Sequence, residues 1–494
     1  MSCRNSETYM CREAHLVQKR KGGITLPLCS RPSAPGEITQ RSCAFYGARW
    51  MLAPLEDAIH IVHGPVGCAY YGGTVRGRSF RVFSTALEEK DIVFGGGKRL
   101  IRTLKEAKAI MPHARYIFVY ATCSTAIIGD DIDSICKKME KELGCPVIFV
   151  NCPGFKGDSQ ASGHRIAFES LLNRLIGQGQ RTEVGNYDVN IIGDYNINGE
   201  SMVLKSLLEK MGIRVRCIFT GHADYEGIIA AHRVRLNLLV CQSSGRFLAE
   251  ALQKRYGIAY LKVTFLGPSQ TMASLRKIGQ FLGLEREAER VIATGYKAIK
   301  PGLDRFLPKL RGKRAALFFG AARMASLIKA LDDMGTEVVF TGSQFGDLTT
   351  YKETWQTVNP GTYIIDDASE HDLEHLLDEL RPDVFMGGIK EQSLSHKFGI
   401  GFCLFPQLKC AGPYVGFQGF LNFASSVHNA VYAPVWKFAK LNPNSSPHSA
   451  DRKPRKSWFS CHCEACPPVP FVPSLQLPGK PGVGRRGGTT EAIS

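Results

Sequence analysis

The chain has 494 residues, more than one hydrophobic core usually organises, so about two to four domains are expected. With 44% apolar and 22% charged residues it has a globular composition; no uncharged apolar run reaches the ~18 residues of a membrane span, and the first seven residues lack the apolar stretch of a secretory signal. The formal charge of +17 is spread along the chain without an Arg/Lys stripe interleaved with aromatics, so neither nucleic acid nor a membrane is an expected partner, and a cytoplasmic location is.

Sixteen cysteines are many for a reducing compartment, where structural disulfides are rare. Retained thiols there are metal ligands, catalytic groups or small buried hydrophobes. Residues 1–40, with Pro27, Pro32 and Pro35, show no sustained period and read as an irregular surface arm. Over 41–180, apolar strands alternate with amphipathic helices, including strands at 116–120 and 146–150 and a helix at 131–143 with acids early and lysines late.

Three cysteines in this region share a setting. Cys68 ends the turn His63-Gly64-Pro65-Val66-Gly67-Cys68, Cys43 lies in Arg41-Ser42-Cys43-Ala44, and Cys123 follows the strand at 116–120 in Ala121-Thr122-Cys123-Ser124. Glycine lets backbone approach a bulky group and proline stiffens a turn, so these thiols read as held in place around a shared metal cluster. Their wide spacing matches no local ferredoxin pattern. Cys136, Cys145, Cys152 and Cys217 lie in or beside regular patterns and read as small buried hydrophobes. Gly95-Gly96-Gly97-Lys98 lacks the spacing of a phosphate loop and has Arg99 where the hydroxyl belongs, so no nucleotide site is expected; no G-x-S-x-G elbow supports hydrolase chemistry.

Residues 177–188 are polar and read as a linker. A second α/β unit over 181–310 has strands at 189–192, 214–219, 236–240 and 259–263, helices at 201–211, near 225–232 and at 245–255, and Cys241 at a strand end, where open α/β sheets place ligands. A third unit over 311–440 has strands at 315–319, 337–341, 362–365 and 383–386, with helices at 324–334 and 371–380. The expected fold class is therefore α/β: three Rossmann-like units with parallel sheets and the chemistry at strand C-terminal ends. The tail 441–494 is rich in proline, glycine and basic residues and is expected to be disordered; its Cys461-His462-Cys463 and Cys466 lack a second ligand pair at zinc-finger spacing.

His63-Gly64-Pro65-Val66-Gly67-Cys68, Glu89-Lys90-Asp91-Ile92-Val93-Phe94-Gly95-Gly96, Ile128-Gly129-Asp130-Asp131-Ile132 and Gly412-Pro413-Tyr414-Val415-Gly416-Phe417-Gln418-Gly419-Phe420 together resemble the nitrogenase component 1 family, α-subunit branch, from about Cys43 to Trp436. The resemblance implies that Cys43, Cys68 and Cys123 are this chain's half of a P-type [8Fe-7S] cluster bridging to a β-like subunit in an α2β2 assembly, or of a [4Fe-4S] cluster in a scaffold relative. It implies that Cys241 ligates a large iron-sulfur cofactor related to the iron-molybdenum cofactor, with electrons delivered by an ATP-dependent iron protein. Gln160 and His164 fall where catalytic subunits position substrate and protons. Arg76, Arg323 and Lys390 fall where cations surround the cofactor or its organic acid.

Two positions depart from the family pattern. Its second cofactor ligand, a histidine, falls on Pro406, and proline cannot ligate a metal. Cys403 and Cys410 lie close enough in sequence to substitute but read as buried thiols. The family's small valine over the substrate face falls on Met51, which implies an altered pocket. The leading expectation is a nitrogenase-like reductase subunit with a substrate other than dinitrogen, carbon-sulfur bond reduction being a candidate. The alternative is a cofactor-assembly scaffold.

Overall fold

Strands buried on both faces read as continuous apolar runs, and that is the form of the first sheet. Its strands are β2 (Ala58–His63), β3 (Phe83–Ser84), β4 (Tyr116–Ala121) and β5 (Val147–Val150), in the order β3-β2-β4-β5; every residue of β2 and β4 is buried. Around it lie α1 (Ala44–Leu52), α2 (Val66–Gly73), α3 (Glu89–Phe94), α4 (Gly97–Ile110), α5 (Cys123–Ile128), α6 (Ile132–Leu143) and α7 (Gln160–Arg174). The computed structural model describes residues 16–20, 23–27, 43–73, 81–156, 160–179, 183–343, 346, 348–405 and 412–435. The expectations for Arg76, Pro406, Cys410 and the tail after 440 lie outside these residues.

The second sheet has the order β7-β6-β8-β9, from β6 (Asp188–Asp194), β7 (Arg214–Thr220), β8 (Leu236–Leu239) and β9 (Tyr260–Lys262). Its helices are α8 (Glu200–Glu209), α9 (Tyr225–Ile229), α10 (Gln242–Tyr256), α11 (Pro268–Leu282) and the long α12 (Glu285–Leu310). The third sheet runs β1-β12-β11-β10-β13-β14, from β1 (Leu16–Gln18), β10 (Arg314–Phe318), β11 (Glu337–Ser343), β12 (Tyr363–Asp366), β13 (Val384–Gly387) and β14 (Gly401–Leu404). With it go α13 (Met324–Asp332), α14 (Leu348–Thr357), α15 (Glu370–Leu380), α16 (Gln392–Lys397) and α17 (Gly416–Tyr432). The first two sheets are wholly parallel, so the predicted Rossmann-like α/β architecture with three sheets is present.

One reading needs correction. Residues 1–40 were expected to be irregular throughout, but β1 (Leu16–Gln18) pairs antiparallel with β12, Leu16 opposite Ile365, and closes the edge of the third sheet. Three residues carry too short a pattern to reveal a strand that an existing edge recruits. The helix starting at Cys241 also begins earlier than expected, at Gln242 rather than 245, because the cysteine itself is the N-cap.

The apolar clusters run across the sheets. One joins Val62 and Tyr120 of the first sheet to Ile192 and Leu239 of the second; another joins Val189 and Leu236 of the second, through Ile299 and Leu303 of α12, to Leu317 and Ile364 of the third. Helices α1 and α7 meet through glycines. A Cβ on Gly163 would lie 2.0 Å from the Ala44 carbonyl oxygen, and one on Gly47 would lie 2.1 Å from that of Gln160. Only hydrogen at both positions permits this approach, and it seats Gln160 and His164 beside the helix that begins at Cys43. No helix among the described residues is long and apolar enough to cross a membrane.

Candidate metal centres

Cys43, Cys68 and Cys123 converge at the C-terminal side of the first sheet. Cys43 is the N-cap of α1, Cys123 is the first residue of α5, and Cys68 lies in the first turn of α2. Helix N-termini present backbone N–H donors from which sulfur can accept. The Tyr46 amide donates to Cys43 Sγ at 3.5 Å, and the Gly154 amide donates to Cys123 Sγ at 3.2 Å. A Cβ on Gly154 would lie 2.9 Å from Cys123 Sγ and 3.4 Å from Cys43 Cβ, so that segment is pressed between two of the thiols.

Burial, and then the neighbouring Cys123 and Cys43 sulfurs, push the Cys68 thiol above its ordinary value. Like charges that hinder each other's ionisation are relieved by bound cations, and metal ligation deprotonates such thiols. Among the described residues no three His, Cys, Asp or Glu side chains are close enough to hold a single ion. Three soft donors gathered at this wider spacing fit a polynuclear iron-sulfur group better than one metal ion.

The motifs around these cysteines are knotted together. His63 Nε2 lies 3.0 Å from Asp130 Oδ2, and the Gly96 amide donates to Asp130 Oδ1 at 3.0 Å. The Thr122 hydroxyl donates to the His63 carbonyl at 2.9 Å. The turn before Cys68, the glycines at 95–97 and the loop before α6 therefore form one hydrogen-bonded unit. Burial is the main influence on His63, lowering its pKa against the pull of Asp130. The Gly96 amide serves this network rather than a phosphate.

Cys241 is the second candidate centre. It caps α10 at the end of β8 and is buried, and a Cβ on Gly193, which has φ +90°, would lie 2.6 Å from its Cβ. The Ser244 hydroxyl donates to Cys241 Sγ at 2.9 Å and also bonds the Tyr195 hydroxyl. Tyr195 packs edge-on against Trp50 with centroids 4.5 Å apart, and Trp50 lies 5.3 Å from the His164 ring. The Gln160 amide nitrogen is 3.2 Å from His164 Nε2. A continuous line of side chains thus joins Cys241 to Gln160 and His164 through Ser244, Tyr195 and Trp50. A cavity of about 390 Å³ opens between the first turns of α7 and α10 and helix α14, with Ser162, Arg165, Ser244, Arg246 and Glu353 in its lining.

The remaining predicted residues are placed less closely. Arg323 is half-buried at the start of α13, in a turn that packs on α10, and Lys390 is exposed in the turn after β13. Met51 is fully buried, and its carbonyl accepts from the Thr220 hydroxyl. Cys403 is buried in β14, its thiol pushed up to about 12 by burial. Sequence reasoning passed over Trp50, Tyr195 and Ser244. The signals were present: Ser244 follows Cys241 by one helical turn, and Tyr195 opens the loop after β6.

Residues 43–432 match the family described as nitrogenase component 1 type oxidoreductase. The chain is 39% identical over 447 residues to the nitrogenase molybdenum-iron protein alpha chain of Methanothermobacter marburgensis, covering 86% of this chain and 95% of the relative. It is 37% identical over 444 residues to the nitrogenase iron-molybdenum cofactor biosynthesis protein NifE of Methanococcus maripaludis, covering 88% and 92%. Among solved structures, nitrogenase Cp1 at pH 5 superposes with a TM-score of 0.82 at 33% identity, covering 88% of this chain and 97% of that one.

Proposed function

Because the chain belongs to the nitrogenase component 1 type oxidoreductase family, we propose that it is the α-like subunit of a nitrogenase-family reductase. The observation that carries this reading is the line from Cys241 to Gln160 and His164, since a chain that only stores a cluster has no need of an amide and an imidazole aligned beside it. Cys43, Cys68 and Cys123 are the residues to hold half of a P-type [8Fe-7S] or a [4Fe-4S] group, and Cys241 is the residue to hold the large cofactor. Bound there, these groups would relay the electrons of a multi-electron reduction.

The chain's own residues do the rest. Ser244 directs its hydroxyl to the Cys241 sulfur and thereby orients the ligand and moderates its charge. Gln160 fixes the His164 ring, and imidazole is the side chain suited to hand on protons near neutral pH. Arg76, Arg323 and Lys390 are proposed as the cations that meet the cofactor's negative charge. With Met51 and Pro406 at altered positions, a carbon-sulfur bond is a better substrate candidate than dinitrogen.

A partner chain is the second element of the proposal. Cys123 is exposed, and so are Val66, Tyr70, Phe94, Ile127 and Phe155 around the thiol-bearing turns, Phe94 at 86%. An apolar surface of this kind beside half a ligand set calls for a β-like subunit, in an α2β2 complex that accepts electrons from an ATP-dependent iron protein. A cytoplasmic location and domain boundaries near residues 180 and 310 complete the reading.

A NifE-like cofactor scaffold is the second reading. Pro406 at the ligand position and the nearly equal similarity to NifE favour it. Anaerobic purification, iron, molybdenum and vanadium analysis, and turnover with the iron protein and ATP separate the two. Reduction of protons, dinitrogen or an alkyl sulfide is expected; absence of turnover together with cluster transfer to an apo-nitrogenase would establish the scaffold.

A further inference from the structure

Helix α15 carries His371 and His375 four residues apart, hence on one face of the helix. Their Nε2 atoms face each other at 3.0 Å, with ring planes at 82° and centroids 4.4 Å apart. Both histidines are exposed. Imidazole nitrogen is the donor that borderline divalent cations take at about 2.0–2.1 Å. At a separation of 3.0 Å, a cation 2.1 Å from both nitrogens subtends an angle of about 90°, the cis angle of an octahedral or square-planar complex.

Glu370 and Asp372 lie in the first turn of α15, while Glu374 and Asp378, which flank the second histidine, are ion-paired with Lys397 and Arg381. The helix holds both ligands on one face before a metal arrives, which reduces the ordering cost of binding. His371-Asp372-Leu373-Glu374-His375 also has the spacing of an H-x-x-E-H zinc peptidase motif, but Glu374 is ion-paired with Lys397. No third protein ligand completes a catalytic set among the described residues. The chemistry available is therefore binding, with water in the remaining coordination positions.

We propose that His371 and His375 form a bidentate surface site for a borderline divalent cation such as Ni²⁺, separate from the thiol centres and independent of what those centres hold. The test uses the full chain purified anaerobically with its native iron content, dialysed to equilibrium against Ni²⁺. The wild type is expected to bind one equivalent more than His371→Ala and one more than His375→Ala, with iron content equal in all three. Ni²⁺ is also expected to protect both histidines of the wild type from diethyl pyrocarbonate, read residue by residue by mass spectrometry. Equal Ni²⁺ uptake by wild type and variants, loss in only one of the two variants, or equal modification with and without Ni²⁺ would each overturn the proposal, the contact then being an imidazole pair sharing a proton.

Discussion

Arg49 sits in the middle of α1 with 0% exposure, and none of its three guanidinium nitrogens meets hydrogen-bond geometry. Among the described residues the neutral Tyr120 ring has its centroid 5.5 Å from Cζ, and a Cβ on Gly72 would lie 3.0 Å from both Arg49 Cγ and Phe45 Cζ. Burial lowers its pKa, and Tyr120 is the only group that opposes the shift. Tyr120 therefore lies close enough to act on the charge, but the absent hydrogen-bond geometry indicates weak compensation. Behind it, Tyr120 Oη is 2.8 Å from His60 Nδ1 and His60 Nε2 is 3.0 Å from the Leu55 carbonyl, so that imidazole donates to Leu55 and accepts from the phenol. Burial, and then the Arg49 charge, hold His60 well below its usual range, so it remains neutral and supplies no counter-charge.

Replacing a whole buried ion pair by apolar residues of similar volume is often neutral or stabilising by about 1–4 kcal/mol, and a buried guanidinium without a hydrogen bond has still less attraction to lose. Arg49→Met keeps the stem between Phe45 and Gly72 and removes the charge. The cluster-free chain should therefore gain about 1–3 kcal/mol, read as a higher urea midpoint at unchanged slope. Arg49→Lys retains a charge that cannot spread over the phenol and should be no more stable than wild type. A lower midpoint for Arg49→Met would refute the reasoning, because it would mean that the guanidinium is compensated within the folded chain.

Gly163→Ala drives a methyl group onto the Ala44 carbonyl, forces α1 and α7 apart and should cost about 1–3 kcal/mol, measured by urea unfolding. Cys68→Ala should lower the iron bound by the purified complex while leaving far-ultraviolet circular dichroism unchanged; full iron retention would remove Cys68 from the ligand set. Asp188 receives two hydrogen bonds of 2.6 Å from Arg214 and one from the Gly185 amide. Burial opposes its ionisation, but these contacts outweigh burial and hold the carboxyl below its ordinary value. The stability it contributes is therefore complete above the unfolded value near 3.9 and is lost as pH falls through the lower folded value. Asp188→Asn should flatten the stability-versus-pH curve below about pH 4, and an unchanged acid limb would contradict this assignment.

Much of the architecture was legible because it is written in local periodicity. β4 read as a buried strand from its unbroken apolar residues, and the helix expected over 131–143 is α6, with Asp131 as the cap that accepts from the Ser134 amide. The edge strand β1 was not legible, since pairing with β12 rather than its own three residues makes it a strand. The same distinction applies to the thiols. Each could be recognised as a cysteine at a turn or strand end from its immediate neighbours.

By itself, then, the sequence determined the α/β class, the family resemblance and the residue types available for chemistry, because these depend on short-range patterns and on motifs in order. Only the tertiary structure decided which of those residues meet. The parallel order β3-β2-β4-β5 places the ends of β2 and β4 side by side and so brings Cys68 and Cys123 to one edge. The glycine contact of α1 with α7 lets Trp50 stand between His164 and Tyr195, and Ser244 completes the line to Cys241. Proximity between residues so far apart in the chain follows from strand order and helix packing, which no local pattern encodes.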